Sequence, residues 1–468
     1  MSSRLASVLR FFLDVERDER LKVLLLAIAF FLIIGGYTIM KELKDAVFIN
    51  TVGFEYIKYA KMIAMFVLIP AILIYSKLVD ILRRYQLLCL YILFYGIVGL
   101  ICAYLLGHSV IGLSNTDISP YRIFGWFFYF FIEGYTPFVI SVFWAFANSI
   151  TSPEAAKNNY TTIVVGSKLG GMLMASLAWF MLNHKIGVGL FSDIAMHQFL
   201  LAVSSGMVLL TTLAIYILMT KVPGQYLHGY EAAYQFEKKR SHEEVSEKKG
   251  LLATLQSMTS GLLMLVKYPY VMGIFGMIFF WEVINTVFGY QRLGVGQAAT
   301  STMSEFSGFL FEQAFFVHLA GLLIVFFGTR TLINVLGERL SLMLVPVSTG
   351  VLMIYYLLSN SVTAVVIVYV LIRAVNYAFS WPLRESLYII TTKDTKFKSK
   401  SWIDAFGAKL ARGFGSCYNY FADTLSQVMV LSAHTVFFTS IIGLWLVVAH
   451  LLGRRFEKAV KRNEVIGD

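Results

Sequence analysis

Residues 22–49, KVLLLAIAFFLIIGGYTIMKELKDAVFI, run through about 18 mostly apolar positions and then carry Lys41, Glu42, Lys44 and Asp45 with no proline between. About 20 apolar residues in a helix match the hydrocarbon thickness of a bilayer, so the stretch reads as a membrane span with charges in its far part. Lys41 and Lys44 are three apart and share a helix face, and the four-residue step from Lys41 to Asp45 permits an ion pair. Lys58 and Lys61 repeat the three-residue spacing at the start of the next apolar run.

Ten of the 39 lysines and arginines lie in such runs: Lys41, Lys44, Lys58, Lys61, Arg122, Lys168, Arg373, Arg384, Lys409 and Arg412. A cation at mid-bilayer costs about 2.5 to 3.5 kcal/mol, so ten facing lipid would cost roughly 25 to 35 kcal/mol. These side chains are expected to face a protein-lined, watery cavity. A cavity lined mainly by cations suits a polyanion.

Composition agrees on the class. Over 468 residues, 58% are hydrophobic and 14% charged, with a mean hydropathy of +0.70, which leaves too little polar surface for a soluble protein. The apolar runs lack the alternation of barrel strands, so the spans are helical. Cys89, Cys102 and Cys417 form no close pair and the eight histidines are scattered, so neither a disulfide framework, a metal site nor a cofactor is expected. The mixed charges from Arg4 to Arg20 match neither a cleavable signal nor a transit peptide. The simplest address is a bacterial inner membrane.

Windows of about 19 residues give twelve spans, near 22–49, 56–76, 86–107, 120–150, 160–183, 197–219, 268–291, 312–329, 340–358, 361–391, 402–430 and 434–453. With both termini cytoplasmic, Lys185 and Arg292 alone fall in outer loops, the asymmetry of the positive-inside rule. The polar stretch Thr220–Gly250 divides the chain. The expected organisation is a cytoplasmic segment 1–21, a six-helix bundle 22–219, a linker 220–267, a second bundle 268–453 and a tail 454–468. Two echoes support paired halves. Val79-Asp80-Ile81-Leu82 with Leu88 and Leu90 matches Ile333-Asn334-Val335-Leu336 with Leu342 and Leu344 at an offset of 254, and Gly166-Ser167-Lys168-Leu169 matches Gly407-Ala408-Lys409-Leu410 at 241. Parallel six-span repeats imply an all-α, major-facilitator-like architecture with substrate between the halves at the midplane. The loop Tyr75–Tyr85, YSKLVDILRRY, resembles the signature after the second span of major facilitators, which makes Asp80, Arg83 and Arg84 a candidate latch beside their topogenic role.

Other charges stand in apolar company. Glu133 in FFIEGYTPF and Glu282 in FFWEVIN must be protonated or paired. Arg384 and Glu385 follow Pro382, which can kink a helix. In the stretch 391–412, Lys400 lies at a helix mouth with Asp404 four residues on, and Lys409 and Arg412 share a face deeper in. Gly407, Ala411 and Gly415 recur every four residues and allow a close helix neighbour.

The chain resembles the nucleotide transporter family, the ATP/ADP translocases of plastids and obligate intracellular bacteria. The resemblance runs through most of the spans and is carried by YTIMKELKDAVFI, FFIEGYTPFVISVFWAFANSIT, EAAKNNY, WEVIN, PLRES and KSWIDAFGAKLARGFGS. It implies transport roles for Lys44, Glu133, Glu282 and Lys400, and exchange or proton-linked uptake of nucleotides. The chain departs from the family pattern at Phe414, where a glycine is usual, and at Gly134, where a second acid is common.

The expected protein is therefore an alternating-access carrier for ATP/ADP or related nucleotides, a monomer among membrane lipids, with no nucleic-acid partner. Lys44, Lys400, Lys409 and Arg412 attract phosphate, and Glu133 and Glu282 hold these cations when the site is empty. Tyr135, Trp281 and Tyr388 are candidates for stacking on the base, against a packing role. The rivals are proton-coupled uptake of nucleotides, NAD or a smaller phosphorylated anion, and a membrane enzyme acting on a lipid-linked phosphate.

Overall fold

The computed structural model describes residues 19–151, 153–183, 192–223, 265–327, 329–359, 361–391, 402–462 and 464–466, with Leu227, Leu263 and Ser399. Among these residues the regular structure is helical apart from an isolated bridge between Thr391 and Ile466. The first helices are α1 (Arg20–Thr51), α2 (Ile57–Ile81) and α3 (Arg84–Leu106). Next come α4 (Ile123–Glu133), a π turn at Thr136–Ile140, α5 (Ser141–Ser149), α6 (Pro153–Asn183) and α7 (Asp193–Lys221). The later part begins with α8 (Pro269–Ala299), α9 (Met303–Phe327), α10 (Thr329–Ser359) and α11 (Val362–Val375). A π turn at Asn376–Ser380 leads into α12 (Trp381–Leu387), and another at Ile403–Gly407 opens α13 (Ala408–Asp423), before α14 (Gln427–Arg462).

Nine of the described helices are long and apolar enough to cross a membrane, or ten if the pair Phe54–Ala64 and Phe66–Tyr75, bent by 42°, is one span. The runs expected at 361–391 and 402–430 are interrupted. Val362–Val375 is a short apolar helix, π turns break both runs, and Lys409 and Arg412 lower the hydropathy of α13.

The chain forms two compact units that are not contiguous in sequence: Met1–Val52 with Pro70–Lys248 and Thr302–His318, and Gly53–Ile69 with Lys249–Ser301 and Leu319–Asp468. In the first unit α6 lies on the backbone of α1. A Cβ on Gly166 would sit 2.6 Å from the Ala27 carbonyl oxygen, and one on Gly170 2.3 Å from that of Phe31. Such small-residue contacts replace the hydrophobic drive that is missing between helices in lipid. Within α1, the hydroxyls of Thr38 and Thr51 donate to the carbonyls of Ile34 and Val47, each at 2.7 Å, which satisfies them inside the helix. The core of this unit is strongly aromatic, with Phe30 stacked on Phe143 at 4.6 Å and Tyr91 on Phe138 at 5.2 Å.

Arg122 stands outside a span, contrary to its apolar setting in sequence. It precedes α4 and donates to the carbonyls of Asn115 and Asp117 at 2.9 Å, and to those of Ile111 and Gly112. Burial against this loop pulls its pKa down, opposed by Asp117. One guanidinium thus satisfies four turn carbonyls that water would otherwise have to reach.

In the second unit α13 meets α8 through Gly415, whose Cβ would lie 3.0 Å from the Val283 oxygen. The Trp445 indole donates to the Met277 sulfur at 3.2 Å. The end of the chain is pinned: Ile466 N–H donates to the Ile390 carbonyl at 2.7 Å, and Arg455 forks onto Glu464, one arm at 3.0 Å. That hydrogen bond holds the exposed Glu464 carboxyl below the ordinary range. Gly53, at φ 120°, makes the turn after α1, a conformation that side chains other than glycine rarely adopt.

Candidate functional site

Two polar clusters stand inside apolar helices, one in each unit. In the first, α1 presents Lys44, buried at 8% exposure. Its ammonium lies 3.0 Å from Glu133 at the end of α4 and 3.5 Å from Asp45. It also sits 4.4 Å from the centre of the Tyr129 ring, one turn before Glu133. The cation is thus held by a carboxylate on each of two helices and by a π face, contacts that strengthen with desolvation. Asp45 meets Lys44 and not Lys41, which pairs with Glu42 at 2.5 Å. On an α helix the i, i+4 step is permissive only, and α4 draws Lys44 towards Asp45's side. The π turn beginning at Thr136 follows directly on this site, as such turns commonly do near function.

In the second unit, Arg412 of α13 lies 3.3 Å from Glu282 of α8. Lys409 is buried one turn before. Arg384 is buried in α12, with Tyr388 beside it in the following turn. Further along α8, Asn285 accepts a hydrogen bond from Arg373 Nε of α11 at 3.1 Å. The Arg373 guanidinium lies 4.4 Å from the Tyr369 ring centre. Arg292 lies 4.0 Å from the same ring and donates to its hydroxyl at 2.8 Å. The sequence reading assigned Arg292 to an outer loop. The helix runs on to Ala299 with Arg292 buried within it. Asn285 and Tyr369 were not singled out from sequence, although Asn285 ends the WEVIN segment.

A third cluster joins Lys58 to Asp423 at 2.5 Å, with the Tyr290 hydroxyl donating to the same carboxylate at 2.8 Å. Lys58 is thereby paired within the second unit, at the start of α2.

The remaining expected residues divide by surroundings. Tyr135 is fully buried, its hydroxyl on the Ile33 carbonyl at 3.1 Å and its ring stacked on Tyr37 at 5.0 Å. Trp281 is buried near Tyr377, at 6.4 Å between rings. Of the latch candidates, Arg84 donates to the Ala145 carbonyl of α5 at 3.2 Å, tying the start of α3 to that helix, while the backbone of Arg83 is capped by Gln86. Lys400 and the side chains of Asp80, Glu385 and Asp404 lie outside the described residues. Among the described residues no cluster of His, Cys, Asp and Glu fits a metal ion.

Solved structures that superimpose on the chain include membrane transporters. A D-xylose–proton symporter superimposes with a TM-score of 0.62 over 94% of this chain and 98% of its own, at 14% identity. A nucleoside transporter gives 0.54 over 93% and 99%, at 12%. At these identities the likeness concerns the fold, which is all-helical and major-facilitator-like. Among curated proteins, the ADP,ATP carrier protein 1 of Rickettsia prowazekii (strain Madrid E) is 22% identical, with 96% of each chain covered. The plastidic ATP/ADP-transporter of Solanum tuberosum is 28% identical over 34% of this chain and 28% of its own. The description TLC ATP/ADP transporter matches residues 1–456. The chain is a multi-pass membrane protein that belongs to the TLC ATP/ADP transporter family.

Proposed function

We propose that this protein is an alternating-access carrier that exchanges nucleotides, ATP against ADP or a broader set, across a bacterial inner membrane. The observation that carries the reading is the buried Lys44 held between Glu133 and Asp45. A cation kept inside apolar helices by exchangeable acids suits a phosphate that competes with those acids. Glu282 and Arg412 offer the same chemistry in the second unit. Lys400, Lys409 and Arg384 add positive charge for a polyanion, with Glu385 and Asp404 as further acids, and Tyr135, Trp281 and Tyr388 are the aromatic candidates for the base. Asp80, Arg83 and Arg84 act as the latch, a role supported by the Arg84 tether.

The proposed frame is twelve spans in two six-helix repeats, 22–219 and 268–453, joined by the cytoplasmic linker 220–267, with cytoplasmic segments 1–21 and 454–468, as a monomer among lipids. The π turns support it, because Thr136–Ile140 and Asn376–Ser380 stand 240 positions apart, next to the offset of 241 between the GSKL and GAKL segments.

The test is uptake of labelled ATP into liposomes holding the purified protein. Internal ADP should accelerate uptake strongly, and a proton gradient alone should not. Uptake that needs the gradient and ignores internal nucleotide would replace exchange with proton coupling, and no uptake of any nucleotide would remove the function.

A further inference from the structure

α13 carries a stripe of polar side chains along one face. Lys409, Arg412, Ser416, Asn419 and Asp423 follow one another at steps of three, four, three and four residues, the spacing that keeps to a single side of a helix. Two of them stand apart from the rest. Ser416 is fully buried and Asn419 is 1% exposed, yet the Ser416 hydroxyl and both polar atoms of the Asn419 amide make no hydrogen bond. Among the described residues Asn419 is the one side chain with two such atoms. A buried amide without hydrogen bonds costs the full desolvation of its groups, and a leucine would fill the same place without that cost.

The start of α2 lies over the far end of this stripe. Lys58 pairs with Asp423 at 2.5 Å, and its ammonium lies 5.4 Å from the centre of the Tyr420 ring. Tyr59 meets Tyr420 at 6.1 Å between rings, and Phe54 stacks on Tyr290 at 4.7 Å. Ser416 and Asn419 stand four residues before Tyr420 and Asp423, so they continue the covered side of α13 by one helical turn. Each end of the covering segment is a place where the backbone can turn. Gly53 precedes it at φ 120°, and at the other end α2 contains Pro70, which removes a hydrogen bond from the helix. Between them the pair Phe54–Ala64 and Phe66–Tyr75 is bent by 42°. The part of α2 that belongs to the second unit, within Gly53–Ile69, stops at this proline.

We propose that Ser416 and Asn419 form a subsite for the uncharged part of the substrate and that the start of α2 is its lid, clasped by Lys58 on Asp423. The proposal rests on the reading of the protein as a nucleotide carrier. An amide presents a donor beside an acceptor in one plane. It pairs two-pronged with a group that carries the complement, the amine edge of a nucleobase or the diol of a ribose. Arg412 and Asn419 are seven residues apart, about 10 Å along the helix, so a nucleotide held by phosphate at Arg412 has the length to bring its neutral end to Asn419. With the lid shut the amide is sealed from water. With it open, the substrate supplies the hydrogen bonds that the closed arrangement withholds.

The test of the subsite uses the full-length protein in liposomes, with equilibrium binding of labelled ATP, competition by inosine triphosphate, dideoxy-ATP and inorganic triphosphate, and a melting curve for every variant. Asn419→Leu should melt at or above the wild-type temperature and bind ATP about tenfold more weakly or worse. Its affinity for inorganic triphosphate, which has neither base nor ribose, should be kept. The preference for ATP over inosine triphosphate should collapse if the amide reads the base, and the preference over dideoxy-ATP if it reads the ribose. Neither preference changing, equal weakening of ATP and inorganic triphosphate, or a lowered melting temperature with ATP affinity intact would overturn the subsite, the last being the mark of a packing role.

The lid is read by a thiol. In a Cys417→Ala background, which removes the exposed native cysteine, Asn419→Cys should react slowly with a water-soluble maleimide. The reaction should be several-fold faster when Lys58→Gln releases the clasp, and slower again at saturating ATP. No reaction in any of these proteins, or a rate indifferent to Lys58→Gln, would overturn the lid. A wild-type protein that binds no nucleotide removes the carrier reading and the subsite together, whereas one that binds ATP with Asn419→Leu indifferent loses the subsite alone.

Discussion

Glu133 lies 3.0 Å from Lys44, both largely buried, and Glu282 lies 3.3 Å from Arg412, both partly buried. Removing one member of such a pair costs roughly 3 to 5 kcal/mol when its role is to neutralise the other, because a charge is left buried alone. If instead the carboxylate competes with phosphate for the cation, Glu282→Gln should melt close to the wild type, bind nucleotide as tightly or more tightly, and transport slowly, since the empty carrier lacks the acid that resets it. Melting temperature, affinity and uptake on this one variant separate the roles; a destabilised protein with ordinary turnover per folded molecule would take Glu282 out of the mechanism. The charges themselves were legible in the sequence, because no apolar helix carries them without cause. Their partners were not, since the meeting of Lys44 with Glu133 depends on how α1 packs on α4. Arg292 was misread for a related reason. Hydropathy scores an arginine as exposed whatever ring stands beside it, and Tyr369 is 77 positions away. Tyr135 is a base-stacking candidate by residue type alone, and its contacts with Tyr37 and the Ile33 carbonyl were not legible in the sequence.

At the scale of elements, the approach of α1 to α6 depends on glycines that touch carbonyl oxygens. Gly170→Leu should force the helices apart, since even its Cβ would lie 2.3 Å from the Phe31 oxygen. We expect a loss of about 1 to 3 kcal/mol or more, seen as poor expression and a lower melting temperature, while the same change at Gly206, where nothing lies within 4 Å of an added Cβ, should be mild. Equal stability of the two variants would refute this account of the packing. The close approach of α13 to its neighbour was readable from the spacing of Gly407, Ala411 and Gly415, because small residues every four positions line one helix face. The π turns were not readable, because an extra residue in one helical turn leaves apolar composition unchanged. The tail clasp makes a prediction with a sign. Glu464 titrates below the ordinary carboxylate range while Arg455 holds it, so the clasp contributes fully above that range and is lost as pH falls through the lowered pKa. Amide exchange at Ile466, after allowance for its intrinsic pH dependence, should therefore quicken in acid, and Arg455→Gln should show the quickened rate already at neutral pH. Exchange at Ile466 that stays equally protected in both proteins would detach the ion pair from the clasp.

Across the whole molecule, the surplus of cations inside apolar helices sets a long-range field. Attraction of this kind is screened over about 8 Å at physiological ionic strength, so nucleotide affinity should fall several-fold between low and high salt, measured as the Kd for ATP in liposomes of neutral lipid. An unchanged Kd would point to an uncharged substrate. The membrane class and the helical architecture followed from composition and run length, which depend only on the solvent the chain must satisfy. The exact number of spans resists the same reading, because Lys409, Arg412 and the π turns interrupt the apolar signal where polar chemistry is gathered. The π turns also carry a record of descent. A helix acquires such a turn when one residue is inserted without shifting its flanks. In the proposed two-repeat frame, the turns at Thr136–Ile140 and Asn376–Ser380 fall at equivalent places, as one insertion made before duplication would leave them. The turn at Ile403–Gly407 has no counterpart in α6, as an insertion into the second repeat alone would leave it.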